Sequence, residues 1–374
     1  MILDLETIAD MPRPLKISCY NCLQKIDVTN LKPFSKFSCP ECQTELIVPQ
    51  WFEEYLLEEE AGEGGMARVY RALDPALDRE VAIKILNPEF ARHEQFAELF
   101  LNEARTTANI NHYAVVPIYS CGMRRDRPYI VMQFMDRGSI DNLLRNKEHY
   151  TMEDAVKWIR MAAEGLESAF KHGIIHHDIK PGNIMLDGEG GAKICDFGLA
   201  EAVNRAGSEE LNDILENWAS PEYVSPEKLL HGLEDYKGDI YSLGVTLYEL
   251  VAGQLPFYHS SDRQETAEMR LKKNPDPPHK VNPKVPEDLS DFIMQMIARY
   301  PDGRPEYRDI IKFLKNYLRD RKRELSGSPK RIKFPRKKKR FENSSLIPIL
   351  TIAIIVAAVL AVGIVILVNK FMGH

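Results

Sequence analysis

The stretch that most restricts what this chain can become runs from Gly173 to Gly198, GIIHHDIKPGNIMLDGEGGAKICDFG. It sets Asp178, Lys180 and Asn183 in one short polar loop between apolar runs, then places Asp196 just after a second apolar run. Carboxylates, an ammonium and an amide held on a loop between strand-like segments suit metal and substrate chemistry better than packing.

The rest of the chain must house that loop. Its 374 residues leave room for two or three domains, and 44 % hydrophobic content permits a sizeable core. The formal charge of −6 hides an asymmetry: 14 Lys and Arg stand between Lys312 and Arg340 against only Asp320 and Glu324, so the body is acidic and the neck basic. By overall charge this is no nucleic-acid binder. The first 15 residues carry acids where a secretory signal needs a basic start, so no export signal is expected.

Four of the six cysteines, Cys19, Cys22, Cys39 and Cys42, have the spacing C-x2-C-x16-C-x2-C. Two residues between cysteines let both thiolates of a turn face one ion, and two such turns supply a closed tetrahedral zinc site. The segment 16–50 resembles a zinc ribbon, with structural Zn2+ as the expected ligand; a redox dithiol pair and a metal-free module are the alternatives. Leu23 and Gln43 stand where such knuckles usually carry glycine. Four cysteines leave no open coordination position, so the expected role is interaction or sensing.

Downstream, GEGGMARVY spans Gly62 to Tyr70, and glycines there let a hairpin backbone approach phosphates without Cβ interference. VAIK ends at Lys84, a helical stretch from about Glu94 to Asn109 offers Glu103, and YIVMQFM forms a strand-like run from Tyr129 to Met135. A second helical pattern, Met152 to Lys171, leads into the opening stretch.

In this order and spacing the motifs resemble those of the protein kinases, specifically bacterial eukaryotic-like (Hanks-type) serine/threonine kinases, over about Tyr55 to Leu318. The resemblance implies an α+β, two-lobed fold: a β-rich N-lobe with one long helix and a mostly helical C-lobe. It implies ATP with Mg2+ or Mn2+ as cofactors, and protein substrates bearing Ser or Thr. Gly62, Gly64 and Val69 would cover the nucleotide. Lys84 would reach its α- and β-phosphates and pair with Glu103. Met132 would be the gatekeeper, with Gln133 to Met135 offering backbone groups to adenine. Asp141 would reach the ribose or simply favour a helix N-terminus. Asp178 would take the substrate proton, Lys180 would neutralise the transferred group, and Asn183 and Asp196 would hold magnesium. Glu227 is expected to pair with Arg304, and Asp239 to bind the catalytic-loop backbone. Cys195 reads as a buried small residue before a reactive thiol.

One position departs from the family pattern. His177 stands where these kinases carry the arginine that receives an activation-loop phosphate, and Glu209 to Ala219 holds no Ser, Thr or Tyr but four acids, Glu209, Glu210, Asp213 and Glu216. We therefore expect activity without phosphorylation of this loop, an acidic side chain docking near His177 or another cation instead; ordinary regulation through Ser208 or Ser220 is the competing expectation.

Leu346 to Val368 is 23 residues without a charge. As a helix it would be about 35 Å long, enough to cross a hydrocarbon layer of roughly 30 Å. A buried core helix is the alternative. Eight basic residues between Lys330 and Arg340, against Lys370 beyond the run, would place the kinase side in the cytoplasm by the positive-inside rule. The expected order is thus an extension (1–15), the cysteine module (16–50), the kinase domain (55–318), a basic linker (319–345), a transmembrane helix (346–368) and a short tail (369–374). Anionic lipid is a further expected partner of the linker, and Ala353, Ala357 and Ala361 form a stripe compatible with a homodimer. Two rival readings are a membrane-held pseudokinase scaffold and a nucleic-acid role for the ribbon and neck, the latter without interleaved aromatics to support it.

Overall fold

The computed structural model describes residues 15–197, 221–257 and 269–325. The chain divides into two units, Met1–Lys322 and Arg323–His374, and the sheet, the helical lobe and the cysteine module belong to the first. The run 346–368, the linker beyond 325 and the segment 198–220 lie outside the described residues; among the described ones no helix is long and apolar enough to cross a membrane.

The cysteine module is two short antiparallel hairpins, β1 (Lys16–Ser18) with β2 (Lys25–Asp27) and β3 (Lys36–Ser38) with β4 (Glu45–Ile47). Strands of three residues bury too little apolar area to stand alone. They gain a footing on the next unit through β5 (Gln50–Phe52), which straddles the expected boundary at residue 50. This strand joins β6 (Tyr55–Glu63) as the edge of a six-stranded antiparallel sheet. With β7 (Ala67–Asp74), β8 (Arg79–Leu86), β9 (Ile118–Arg124) and β10 (Arg127–Gln133) the sheet order is β5-β6-β7-β8-β10-β9.

Central strand β8 is buried along almost its whole length, and its period-two alternation assigns each residue a face. Val81, Ile83 and Ile85 pack with Phe52, Tyr55, Leu57, Tyr70 and Val131. The opposite face belongs to Ala67, Leu86 and Ile130, which pack against Phe96, Phe100 and Ala104 of α2 (Glu94–Ala108), a helix preceded by the short α1 (Pro88–Ala91). Lys84 alternates onto this second face, which is why its ammonium is buried beside α2. On the first face Phe34, from the cysteine module, stacks on Tyr70 with ring centroids 5.6 Å apart. Leu15, Val28 and Val48 pack against Trp51 and Leu56 at the sheet edge.

The second lobe is helical. Ser139 and Thr151 each close a capping box at the start of α3 (Ile140–Arg145) and α4 (Met152–Lys171), the latter with the bounds its periodicity predicts. After the hairpin of β11 (Ile184–Leu186) and β12 (Ala192–Ile194) come α5 (Pro226–His231), α6 (Tyr236–Ala252), α7 (Pro278–Val281), α8 (Glu287–Met296) and α9 (Tyr307–Leu325). Helix α6 is buried almost all round, so it forms the axis on which α4 and α8 pack. The β11–β12 hairpin does the positioning: Asn183 immediately precedes one strand and Asp196 follows the other by two residues, so pairing brings residues far apart in the loop to one end of a rigid ladder.

Candidate active site and cysteine centre

The polar loop ahead of β11 folds on itself. Asn183 Nδ2 donates to the Asp178 carbonyl at 2.8 Å and to its Oδ2 at 3.0 Å, while Lys180 Nζ lies 2.8 Å from the same Oδ2. With its amide nitrogen so engaged, Asn183 keeps its side-chain oxygen as a ligand atom. His176 accepts the Asp178 N–H on Nδ1 (3.3 Å), so its proton sits on Nε2, which donates to the Cys195 carbonyl at 2.9 Å. Its ring also packs on Phe197, 4.7 Å between centroids. The buried Asp239 of α6 accepts the N–H groups of His176 and His177, each at 2.8 Å, as the family resemblance implies.

Lys84 arrives from the sheet side. Its Nζ lies 2.7 Å from Asp196 Oδ1, and Val69 and Ile130 flank it across the ladder. The expected Lys84–Glu103 ion pair is not formed in this arrangement. Glu103 Oε2 is buried without a hydrogen-bond partner, and burial pushes that carboxyl well above its usual range against the pull of Lys84. The reason is competition: Asp196 takes the one ammonium at contact distance, and a second dry carboxylate beside it is more stable protonated. At Asp196 burial pushes upward, yet the adjacent Lys84 ammonium holds the carboxyl below its ordinary value. Both acids and Lys84 therefore belong to one electrostatic unit.

Glu103, Thr107, Val116, Ile118, Ile130, Met132, Cys195 and Asp196 line a small cavity behind Met132. The Gln133 N–H donates to the Pro117 carbonyl (3.0 Å) and its side-chain oxygen accepts from Lys193 (2.9 Å), so that N–H is already engaged. Met135 follows the strand rather than ending it, since β10 stops at Gln133. Gly62 pairs with Val69 across the β6–β7 hairpin, and open space lies where its Cβ would be; the Gly64 N–H closes the turn on the Ala67 carbonyl at 2.9 Å. Asp141 lies in the first turn of α3 and pairs with Arg145 at 2.8 Å. Burial pushes the Cys195 thiol well up, which fits a packing residue.

The expected Glu227–Arg304 pair is present as a two-pronged contact, 2.6 and 2.7 Å, with the Arg304 side chain fully buried and its other donors on the carbonyls of Ala298, Lys237 and Arg299. It anchors the start of α5 to the loop before α9.

In the cysteine centre the four Sγ atoms all lie within 4.8 Å of one another, with Cys19–Cys42 and Cys22–Cys39 at 3.6 Å. Four thiolates about 2.3 Å from one tetrahedral ion would stand about 3.8 Å apart, so the donor set fits zinc. Each knuckle repeats one pattern: the Leu23 N–H donates to the Cys19 carbonyl and the Gln43 N–H to the Cys39 carbonyl. Both residues take the left-handed conformation, φ 62°, that glycine usually supplies. The missing glycines thus alter the cost of the turn, not its shape. Thr44, through its hydroxyl and then its N–H, holds the Cys42 thiol below its ordinary value.

Three features of the site escape motif reading. Lys228 and Glu234 meet His177, Gly238 lies against Glu234, and Glu234 is not among the four acids of the loop. Those four, with Ser208 and Ser220, fall outside the described residues.

The fold and this arrangement define a protein kinase, and the family model for the protein kinase domain matches residues 55–314; the chain belongs to that family. Among its relatives, a probable serine/threonine-protein kinase of Clostridium perfringens is 35 % identical over 261 residues, covering 69 % of this chain and 37 % of the relative. The serine/threonine-protein kinase PknB of Mycolicibacterium smegmatis is 31 % identical over 293 residues (76 % and 46 %). The serine/threonine-protein kinase PrkC of Bacillus subtilis is 35 % identical over 245 residues (66 % and 37 %). The chain thus spans less than half the length of these three relatives.

Proposed function

We propose that the protein transfers the γ-phosphoryl group of ATP to serine or threonine hydroxyls of proteins. The observation that carries this reading is the convergence of Asp178, Lys180, Asn183 and Asp196 at one end of the β11–β12 ladder, with Lys84 reaching Asp196 from the sheet. Asp178 accepts the hydroxyl proton as its oxygen bonds to the γ-phosphorus, and the bond to the β–γ bridging oxygen breaks, leaving ADP. Lys180, already on Asp178, shifts its charge toward the transferred group, and Lys84 holds the α- and β-phosphates. Asn183 and Asp196 have the oxygens to hold magnesium, which when bound neutralises phosphate charge. Were Asp196 to hold magnesium, Lys84 would be left to pair with Glu103. Lys84, Glu103, Asp178, Asn183 and Asp196 are all present, which argues against a pseudokinase scaffold.

The four cysteines hold structural zinc in this reading, and the module is a fixed attachment to the nucleotide-binding sheet. The uncharged run 346–368 and the basic residues before it support a single-pass anchor with the kinase on the cytoplasmic side, acting in signalling. Incubation of the full chain with γ-labelled ATP and magnesium, followed by phosphoamino-acid separation, tests the reaction. Label on phosphoserine or phosphothreonine is expected; label confined to phosphotyrosine, or none, rejects it. Loss of membrane co-fractionation on deleting 346–368 is the corresponding result for the anchor.

A further inference from the structure

The peptide that leads into Asp178 is strained. His177 has φ 64°, in the left-handed region that a non-glycine residue keeps only where the surroundings over-determine it. Asp239 holds the N–H side of this turn. The carbonyl side is held by Lys228, whose Nζ donates to the His177 carbonyl at 2.7 Å, the very peptide that joins His177 to Asp178.

Lys228 is in turn fixed by Glu234. Glu234 Oε1 lies 2.8 Å from Lys228 Nζ and 3.6 Å from His177 Nδ1, and its Oε2 accepts the Ser225 hydroxyl at 2.6 Å. The carboxylate is only 3 % exposed, so its charge acts with little screening. Burial pushes its pKa up, but His177, Lys228 and Ser225 together hold it below the ordinary range. A second feature agrees: a Cβ on Gly238 would overlap the Glu234 carboxylate, so a side chain at that turn of α6 would push the carboxylate from this seat. One buried acid thus ties the catalytic loop to Ser225 and Lys228 at the start of α5, where the activation segment ends.

We propose that Glu234, acting through Lys228 and the His177 peptide, is a positioning residue that holds Asp178 in its working orientation, and that this built-in carboxylate replaces an activation-segment phosphate. Where kinases use an added phosphate to order this junction, the negative charge must arrive from outside. Here it is part of the chain, seated beside the residue that replaced the phosphate-binding arginine. The inference rests on the reading of Asp178 as the group that receives the substrate proton.

The test uses the full chain with a Ser-containing peptide, measuring kcat, KM for ATP and the Kd of a fluorescent ATP analogue. Phosphatase-treated wild type is expected to keep kcat within about twofold. Glu234→Gln and Lys228→Met are each expected to lose about ten- to a hundredfold in kcat, the scale of a catalytic group misplaced by about 1 Å, with the nucleotide Kd within about twofold. The double variant is expected to lose no more than the worse single one, because both act through one peptide. A Glu234→Gln protein that binds nucleotide normally and keeps kcat within about twofold overturns the proposal, as does a loss beyond about tenfold on phosphatase treatment of wild type. Should Glu234→Gln fail to bind nucleotide, Lys228→Met decides on the same terms. Wild type that transfers no more label than Asp178→Asn fails the kinase reading itself and takes this proposal with it.

Discussion

Replacing Phe34 by alanine and by glycine separates two opposing terms at the junction between the cysteine module and the kinase sheet. Phe34 is half-buried, stacks on the buried Tyr70 of β7, and has φ 60°. Its N–H donates to the Val48 carbonyl at 2.8 Å, which holds the strained backbone in place. Burying a whole Phe side chain contributes about 1.5–3 kcal/mol, so half of it contributes roughly 1 kcal/mol. The ring pair adds about 0.5–1.5 kcal/mol. Phe34→Ala loses both and keeps the left-handed strain, for a cost of about 2 kcal/mol. Phe34→Gly loses the same contacts but relieves strain of about 1 kcal/mol, so glycine is expected to be the less damaging substitution. Trp51 packs in the adjacent cluster, so its fluorescence during urea unfolding reports the junction. Wild type, then glycine, then alanine is the expected order of midpoints. Alanine more stable than glycine, or both equal to wild type, would refute the claim that an aromatic anchor outweighs a strained turn here.

Other consequences are equally direct. Arg304→Met leaves Glu227 buried without its partner and is expected to cost about 3–5 kcal/mol in urea unfolding; Arg304→Lys, unable to reach both carboxylate oxygens and the carbonyls of Ala298, Lys237 and Arg299, should recover little of it. Because burial raises the Glu103 pKa, the folded chain holds that proton more tightly than the unfolded one, and stability falls as pH climbs from the unfolded value toward the folded one. Glu103→Gln is therefore expected to be more stable than wild type at neutral pH, with the gap closing toward about pH 4, in paired melts across that range. Cobalt added to zinc-stripped protein should give the visible spectrum of a tetrahedral thiolate site at one ion per chain, lost in Cys39→Ser; a protein that folds identically with no bound ion would exclude a structural metal centre.

Local chemistry was legible from the start. The cysteine spacing, the Lys84 strand, the Met152–Lys171 helix and the Asp178-to-Asp196 stretch are each carried by residues close together in the chain, and each forms as its pattern demands. Long-range choices were not. Nothing local marks β5 as a sheet strand, since three residues only become one by pairing with β6. The preference of Lys84 for Asp196 over Glu103 depends on distances that strand and helix register fix together. Glu234 is remote from His177 in sequence and belongs to no motif, although Gly238, a small residue directly before the buried Asp239, was a visible sign that something must fit against α6. Leu23 and Gln43 show the reverse case: the residue type argued against a turn that the hydrogen-bond geometry imposes.

The central claim, that Asp178 sits in a centre built for phosphoryl transfer, is tested most directly by Asp178→Asn in the full chain, with nucleotide affinity and transfer to a Ser/Thr peptide measured on the same preparation. The side chain keeps its shape and its hydrogen-bond site for Asn183 while losing the ability to accept a proton. Nucleotide binding within about twofold of wild type, together with transfer reduced at least about a hundredfold, is the expected result. Transfer at the wild-type rate with nucleotide bound normally would contradict the account.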